Sequence, residues 1–328
     1  MNNLKSVFFT LFLLLIITII HFKKGPLYAL FPEGTGNFTT QIEGDHFPKK
    51  LLDATGIVST LIKPPKRILS ATLVSDHILS DLIDPKRLVA VSYYVDQPSL
   101  SNIVNFYDPA IARTQGEIES MLALRPDLIF VASFSNPETV RYLLRSGIAV
   151  IRISEFNAFA DIMANIRLIA NVTDTSEKAQ QLIQDIEQRL AFVKQQVSTL
   201  PKKRVLYYGL DGYSSGGHSL MDETIGIAGG INVTAGAMPD GQHKISEELA
   251  IALQPDVIIM NKSVFTEQKN QPSVAQILKN KRAWKEVPAV KNNQVYMIPG
   301  TWLRSISQHR IKGVEALAKI LHPQIAKY

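Results

Sequence analysis

The chain has 328 residues, 46% hydrophobic and 20% charged, an ordinary globular composition with enough length for two compact domains. It contains no cysteine, which excludes structural disulfides, thiolate metal sites, cysteine nucleophiles and a lipid anchor on an N-terminal Cys. The formal charge of +6 overstates the basicity: without Lys5, Lys23 and Lys24 there remain 32 basic and 29 acidic residues, which argues for no nucleic-acid partner.

Lys5 precedes an apolar run of fourteen residues, Val7 to Ile20, followed by Lys23-Lys24 and a small-residue exit at Ala29. The run is short of the about 20 residues that span a bilayer, and it fits the core of a secretory signal cleaved after Ala29. The basic exit supports a rival reading, an uncleaved N-terminal anchor over residues 1–29. Residues 30–65 mix Gly, Pro, Thr and Asn with little periodicity and read as an extended leader, ended by Pro64-Pro65.

From Lys66 the pattern is regular. "RILSA" predicts a strand, "LVSDHILSDLI" an amphipathic helix and "RLVAVS" a second strand. A helix beginning near Gly116 leads into the strand "DLIFVA", and "PETVRYLLRSG", closed by Gly147, precedes the strand "IAVIRI". Such alternation over 66–155 implies parallel β-α units and a sheet covered on both faces.

Residues 156–200 contain almost no helix breaker and predict two helices with a junction around Val172 to Thr175. The second starts at Ser176 and repeats apolar residues at Leu182, Ile183, Ile186, Leu190 and Val193; about 24 helical residues would span roughly 36 Å. After Pro201 the alternation restarts with "KRVLYYGL", a glycine-rich loop and the helix "MDETIGIAGG". It continues through a helix at Val274 to Leu278 and the strand "QVYMIP" to a terminal helix, Ile311 to Leu321, so 201–328 form a second α/β lobe.

One phrase occurs twice. "ESMLALRPDLIF" begins at Glu119 and "ELAIALQPDVII" at Glu248, 129 positions later. In each, a Glu falls in a helix's first turn, where the macrodipole favours negative charge, Pro stops the helix, and Asp turns the chain into an apolar strand.

With "PKRILSATLVSDHILSDLIDPKRLVAVS", "EIESMLALRPDLIFVAS", "IAGGINV", "ISEELAIALQPDVIIM" and "AWKEVPAVKNNQVYMIPG", the chain from Lys66 to Pro323 resembles the helical-backbone (class III) periplasmic binding proteins that feed siderophore, haem and cobalamin importers. The resemblance implies two Rossmann-like lobes with central parallel sheets, joined by a single long rigid helix. It also implies a metal chelate held in the interlobe cleft, delivery to an ABC permease, and a protein acting as a monomer. It carries the permease-docking glutamates onto Glu119 and Glu248, each seven residues before the Pro of its phrase.

Candidate ligand-binding residues sit on loops after strands: Tyr93 and Tyr94; Asp211, Tyr213, Ser215 and His218 in the glycine-rich loop; Trp302 as a flat apolar face and Arg304 as a partner for a ligand carboxylate. No histidines form a compact ligand pair of the HxH or HExxH kind, so the chain is expected to hold no metal or cofactor of its own and to take an iron or cobalt chelate already formed. Ferric siderophore and cobalamin rank ahead of haem. Two other functions fit the same architecture: an exported hydrolase using Ser215 with His218 and Asp222, and a membrane-tethered chelate-holding or sensing module.

Overall fold

The computed structural model describes residues 39–209, 212–262 and 274–326; the signal or anchor segment and its apolar run lie outside them. The stretch expected to be an extended leader is folded where it is described. Strands β1 (Gln41–Glu43), β2 (Lys49–Leu52) and β3 (Val58–Leu61) form an antiparallel meander, each too short for its period to show in the sequence. The buried Lys49 bonds the side-chain carbonyl of Asn171, and the carboxylate of Asp53 lies 3.3 Å from Arg152, both side chains nearly inaccessible.

The first lobe follows as β4 (Ile68–Ser70), α1 (Leu73–Leu82), β5 (Leu88–Ser92), β6 (Ala112–Thr114), α2 (Ile118–Ala123), β7 (Leu128–Ala132), α3 (Pro137–Arg145) and β8 (Ala149–Ile153). Its sheet is parallel throughout, in the order β6-β5-β4-β7-β8. Strands β4, β7 and β8 are buried along their whole length, which is why they read as unbroken apolar runs. The meander shields the free side of β8: the Arg152 N–H donates to Thr40 Oγ1 at 2.7 Å, and Thr40 returns its own N–H to the Arg152 carbonyl at 3.0 Å.

Helix α4 (Phe159–Thr173) ends at Asp174 in the left-handed conformation, and α5 (Ser176–Val197) runs for 22 residues. The buried residues of α5 are Ala179, Ile183, Ile186, Leu190, Val193 and Val197, spaced alternately four and three apart, a single stripe facing the core.

The second lobe comprises β9 (Lys203–Tyr207), β10 (Tyr213–Ser215), α6 (Leu220–Ile227), β11 (Gly230–Asn232), β12 (Gln242–Lys244), α7 (Glu247–Ala252) and β13 (Val257–Lys262). It closes with α8 (Val274–Asn280), α9 (Pro288–Lys291), β14 (Val295–Pro299), α10 (Gly300–Leu303) and α11 (Arg310–Leu321). Its main sheet is parallel in the order β11-β9-β13-β14, while β10 and β12 pair antiparallel beside it.

The long helix touches both lobes. It packs on α1 from the first and on α6 and α11 from the second. Arg189 of α5 grips Glu315 of α11 through two parallel bonds of 2.8 Å. The expected fold, two parallel-sheet lobes joined by one long helix, is the fold observed.

Candidate functional site

In open parallel sheets a crevice forms beyond the carboxyl ends of the strands where chain order reverses. In the first sheet that point lies between β4 and β7, and a cavity of about 490 Å³ opens there. One wall is Ala71 to Val74, the turn from β4 into α1. Thr72 caps that helix with its hydroxyl on the Ser75 N–H at 3.3 Å. The facing wall is Val131, Phe134, Ser135, Asn136 and Thr139, where β7 passes into α3 and the Asn136 side chain accepts from the Glu138 and Thr139 N–H groups.

Tyr94 and Leu100 come from beyond β5, and Gln115 with Gly116 from beyond β6. The second lobe supplies Gly300 and Arg304 to Ile306. Two aromatic rings stand open at this cavity: Tyr94 is 49% exposed and Phe134 64% exposed. Phe134 leans on Phe156 with ring centroids 5.6 Å apart, and Tyr94 meets Tyr93 edge-on at 6.1 Å.

Beneath the cavity the lobes are joined by a buried polar seam. His77 of α1 accepts the Asn102 N–H at Nε2 (3.2 Å), so its Nδ1 carries the proton and donates to Ser307 Oγ at 3.1 Å. Burial, then the neighbouring His309, pushes the His77 imidazole down to about 3; His309, edge-on at 4.9 Å, is pushed down to about 4, first by burial. Gln308 donates to the His77 carbonyl and to Asp81 Oδ2 at 2.7 Å, and the Asn102 amide donates to the Thr301 carbonyl at 2.7 Å. A further tie comes from Glu223 of α6, which accepts the Phe159 N–H at the start of α4 at 2.7 Å.

Of the residues singled out from sequence, Tyr94 and Arg304 line this cavity, and Tyr93, exposed and edge-on to Tyr94, does not. Trp302 does not. Gly300 and Arg304 are four residues apart and share a face, whereas Trp302, two residues on from Gly300, faces the other way. It sits in a separate groove with Tyr296 of β14 and with Ala316 and Ile320 of the last helix, so its reading as the cleft aromatic is corrected.

The glycine-rich loop is also not at this cavity. A Cβ on Gly216 would lie 2.0 Å from the Pro239 carbonyl oxygen, so its bareness serves a chain-to-chain approach rather than a ligand. Ser215 is buried on β10, its carbonyl held by Asn232 and Thr234, and Tyr213 lies under the Lys244 ammonium, 5.7 Å from the ring centre. His218 points into solvent and pairs with Asp240 at 3.0 Å, while Asp222 lies in the first turn of α6, its N–H donating to the Ser219 cap. No hydrogen bond joins Ser215, His218 and Asp222, so the hydrolase triad is not assembled among the described residues. Asp211 lies outside them, and no group of three metal-ligating side chains occurs within them.

Sequence reading passed over Thr72, Phe134, Ser135, Asn136 and Thr139. The signal was present: "FSNPET" is a helix start directly after a fully apolar strand, and "SATL" stands in the same relation to β4.

Glu119 and Glu248 are both exposed, and each is the second residue of a six-residue helix, α2 in one lobe and α7 in the other. The equivalence continues in detail. The Arg67 guanidinium caps the end of α2 through the Leu124 carbonyl at 2.6 Å, and Arg204 caps α7 through the Leu253 carbonyl at 2.8 Å.

The profile of the family described as periplasmic binding protein matches residues 68–301. A Bacillus subtilis protein, YvrC, described as an uncharacterized ABC transporter substrate-binding lipoprotein, is 23% identical over 92% of this chain and 96% of its own length. A cobalamin-binding protein of Halobacterium salinarum is 24% identical over 75% of this chain and 67% of its own. Among solved structures, a Staphylococcus epidermidis protein described as a possible iron-binding, periplasmic solute-binding protein superimposes with a TM-score of 0.67. It is 18% identical and covers 79% of this chain and 100% of its own. The matched segment runs from the first strand of the first parallel sheet past the last strand of the second, to the start of the turn that closes the cavity, and the chain belongs to the periplasmic binding protein family.

Proposed function

We propose that the chain is an exported solute-binding protein that captures a preformed iron or cobalt chelate between its lobes and delivers it to an ABC permease. The observation that carries this is the cavity at the strand-order reversal of the first lobe, closed from the second by Gly300 and Arg304 to Ile306. Two open aromatic rings suit a flat ligand, and the absence of a metal-ligating cluster among the described residues suits cargo that brings its own chelator. The names of the relatives, a cobalamin binder and a possible iron binder among them, point to the same class of cargo.

Glu119 and Glu248 supply the docking surface in this reading. Two exposed carboxylates at matched positions on two lobes offer a two-point charge register to a partner with basic residues at a fixed separation. The N-terminal segment then decides between a free shuttle, cut after Ala29, and a protein held at the membrane by Val7 to Ile20. No helix among the described residues is long and apolar enough to cross a membrane. N-terminal sequencing of protein from its native host distinguishes the two: Leu30 first means a shuttle, and an intact Met1 means a tether.

The reading is tested by titrating the purified chain with ferric chelates, haem and cyanocobalamin, followed by absorbance and calorimetry. Saturable one-to-one binding of one class at micromolar concentration or tighter is expected. Binding of none of them, together with labelling of Ser215 by a serine-reactive probe, would replace transport with hydrolysis.

A further inference from the structure

Resting on the chelate-binding reading, we infer that the cleft selects an anionic ligand over a neutral one, and that Arg304 sets this choice. Among the described residues lining the cavity there is no carboxylate and no lysine. His77, the lining imidazole, is bonded at both ring nitrogens as a neutral ring. Arg304 is therefore the one full charge on the described walls. Its guanidinium makes no hydrogen bond and no ion pair among the described residues, while its backbone is fixed by the N–H to the Gly300 carbonyl at 2.9 Å and by the buried neighbours Leu303 and Ser305. A planar cation on a rigid base, with nothing to neutralise it, is arranged to meet a carboxylate, catecholate or phosphate oxygen pair.

The opposite wall works in the same direction. The first turns of α1 and α3 both present their positive ends to the cavity, at Thr72 to Val74 and at Asn136 to Thr139. Tyr94 and Phe134 offer apolar faces between these charges. The ligand that matches is a chelate with net negative charge, or with acidic groups on its rim, around a flat apolar body. A corrin with a rim of neutral amides offers Arg304 only uncharged carbonyl acceptors, weaker partners for a guanidinium than an anionic oxygen pair. A cleft that selects anionic chelates sets this chain apart from its cobalamin-binding relatives.

The test uses four probes on the whole chain: a ferric tris-catecholate, haem, a neutral ferric tris-hydroxamate and cyanocobalamin. An anionic probe is expected to bind at least tenfold tighter than either neutral one, with an affinity that weakens as salt is raised. Arg304→Gln is expected to cost that probe tenfold or more and to leave the neutral probes within twofold. Preference for the tris-catecholate places the recognised charge on the metal's own ligands, and preference for haem places it on rim carboxylates; either supports the inference. Tight binding of cyanocobalamin or the tris-hydroxamate, unaltered by Arg304→Gln, would overturn anion selection and leave chelate binding standing. Failure of all four probes would instead overturn the chelate reading beneath it.

Discussion

Asp76 occupies the first turn of α1, just past the residues that form the cavity wall, and it is fully buried. The Ser92 N–H (3.2 Å) and hydroxyl both donate to its carboxyl, yet burial dominates and lifts its pKa to about 8. The seam histidines are displaced the other way, His77 to about 3 and His309 to about 4. Folded Asp76 holds a proton that the unfolded chain releases above 3.8, so its contribution is complete below 3.8 and is lost as pH rises to about 8. Folded His77 and His309 refuse protons that the unfolded chain takes up below 6.5, so their contribution is complete above 6.5 and is lost as pH falls toward 4 and 3. Between pH 6.5 and 4 two histidines oppose one aspartate, and between 6.5 and 8 Asp76 acts alone of the three. Each uncompensated proton is worth about 1.4 kcal/mol per pH unit. Thermal stability is expected to peak near pH 6.5, and Asp76→Asn to flatten the limb from 6.5 to 8; a limb as steep in the variant would remove Asp76 as its cause. The ring residues part in a similar way. Phe134→Ala should weaken chelate binding by about 1–2 kcal/mol, the loss of an open aromatic anchor. Trp302→Ala should leave affinity within twofold and lower stability by about 1–3 kcal/mol, since the ring packs on α11. Calorimetric titration and melting on both variants decide it.

At the scale of elements, the repeated phrase is a device for joining a short helix to a strand. Its Pro-Asp step positions Asp127 to accept the Lys66 and Arg67 N–H groups at 2.8 and 3.0 Å, and Asp256 to accept the Arg204 N–H at 2.9 Å. Each carboxylate thereby clamps the start of its own strand to the start of the neighbouring one, β7 to β4 and β13 to β9. The residue before Pro is left-handed in both copies, Arg125 with φ 47° and Gln254 with φ 44°. Asp127→Ala should cost about 1.5–3 kcal/mol, as bonds to a charged acceptor do, and Gln254→Gly should gain about 0.5–1 kcal/mol by relieving the left-handed residue. Equal melting temperatures for the wild type and both variants would deny the clamp and the strain alike. The duplication was legible because all of this is local in sequence. Missing from the quoted phrase were Arg67 and Arg204, whose caps reach across nearly sixty and fifty residues respectively. The cavity was less legible for the same reason. Strand alternation gives the two lobes, but Thr72 and Asn136 become neighbours only because β4 lies beside β7, a matter of strand order rather than of any local pattern. The phase of a single turn, Gly300 to Arg304, placed one aromatic outside the cleft.

For the molecule as a whole, the seam and the long helix bear on the same question, how far the lobes can move. His77, Asn102 and Asp81 of one lobe are bonded to Ser307, Thr301 and Gln308 of the other, and α5 is packed on both. Opening the cleft widely would break these buried bonds together, each left unsatisfied at a cost of about 1–3 kcal/mol. Small displacements are what such a joint permits, and small displacements keep α2 and α7 at nearly constant separation. This is the condition under which Glu119 and Glu248 can act as a two-point gauge for a permease. Neither carboxylate lines the cavity, so ligand capture and docking should separate cleanly. The double variant Glu119→Ala with Glu248→Ala is expected to bind its chelate with unchanged affinity and to support no uptake in cells lacking the wild-type protein. Either single variant should retain part of the uptake, because one contact still orients the complex. Normal uptake by the double variant would show that docking uses another surface, and lost ligand affinity would show that these helices report on the cleft after all.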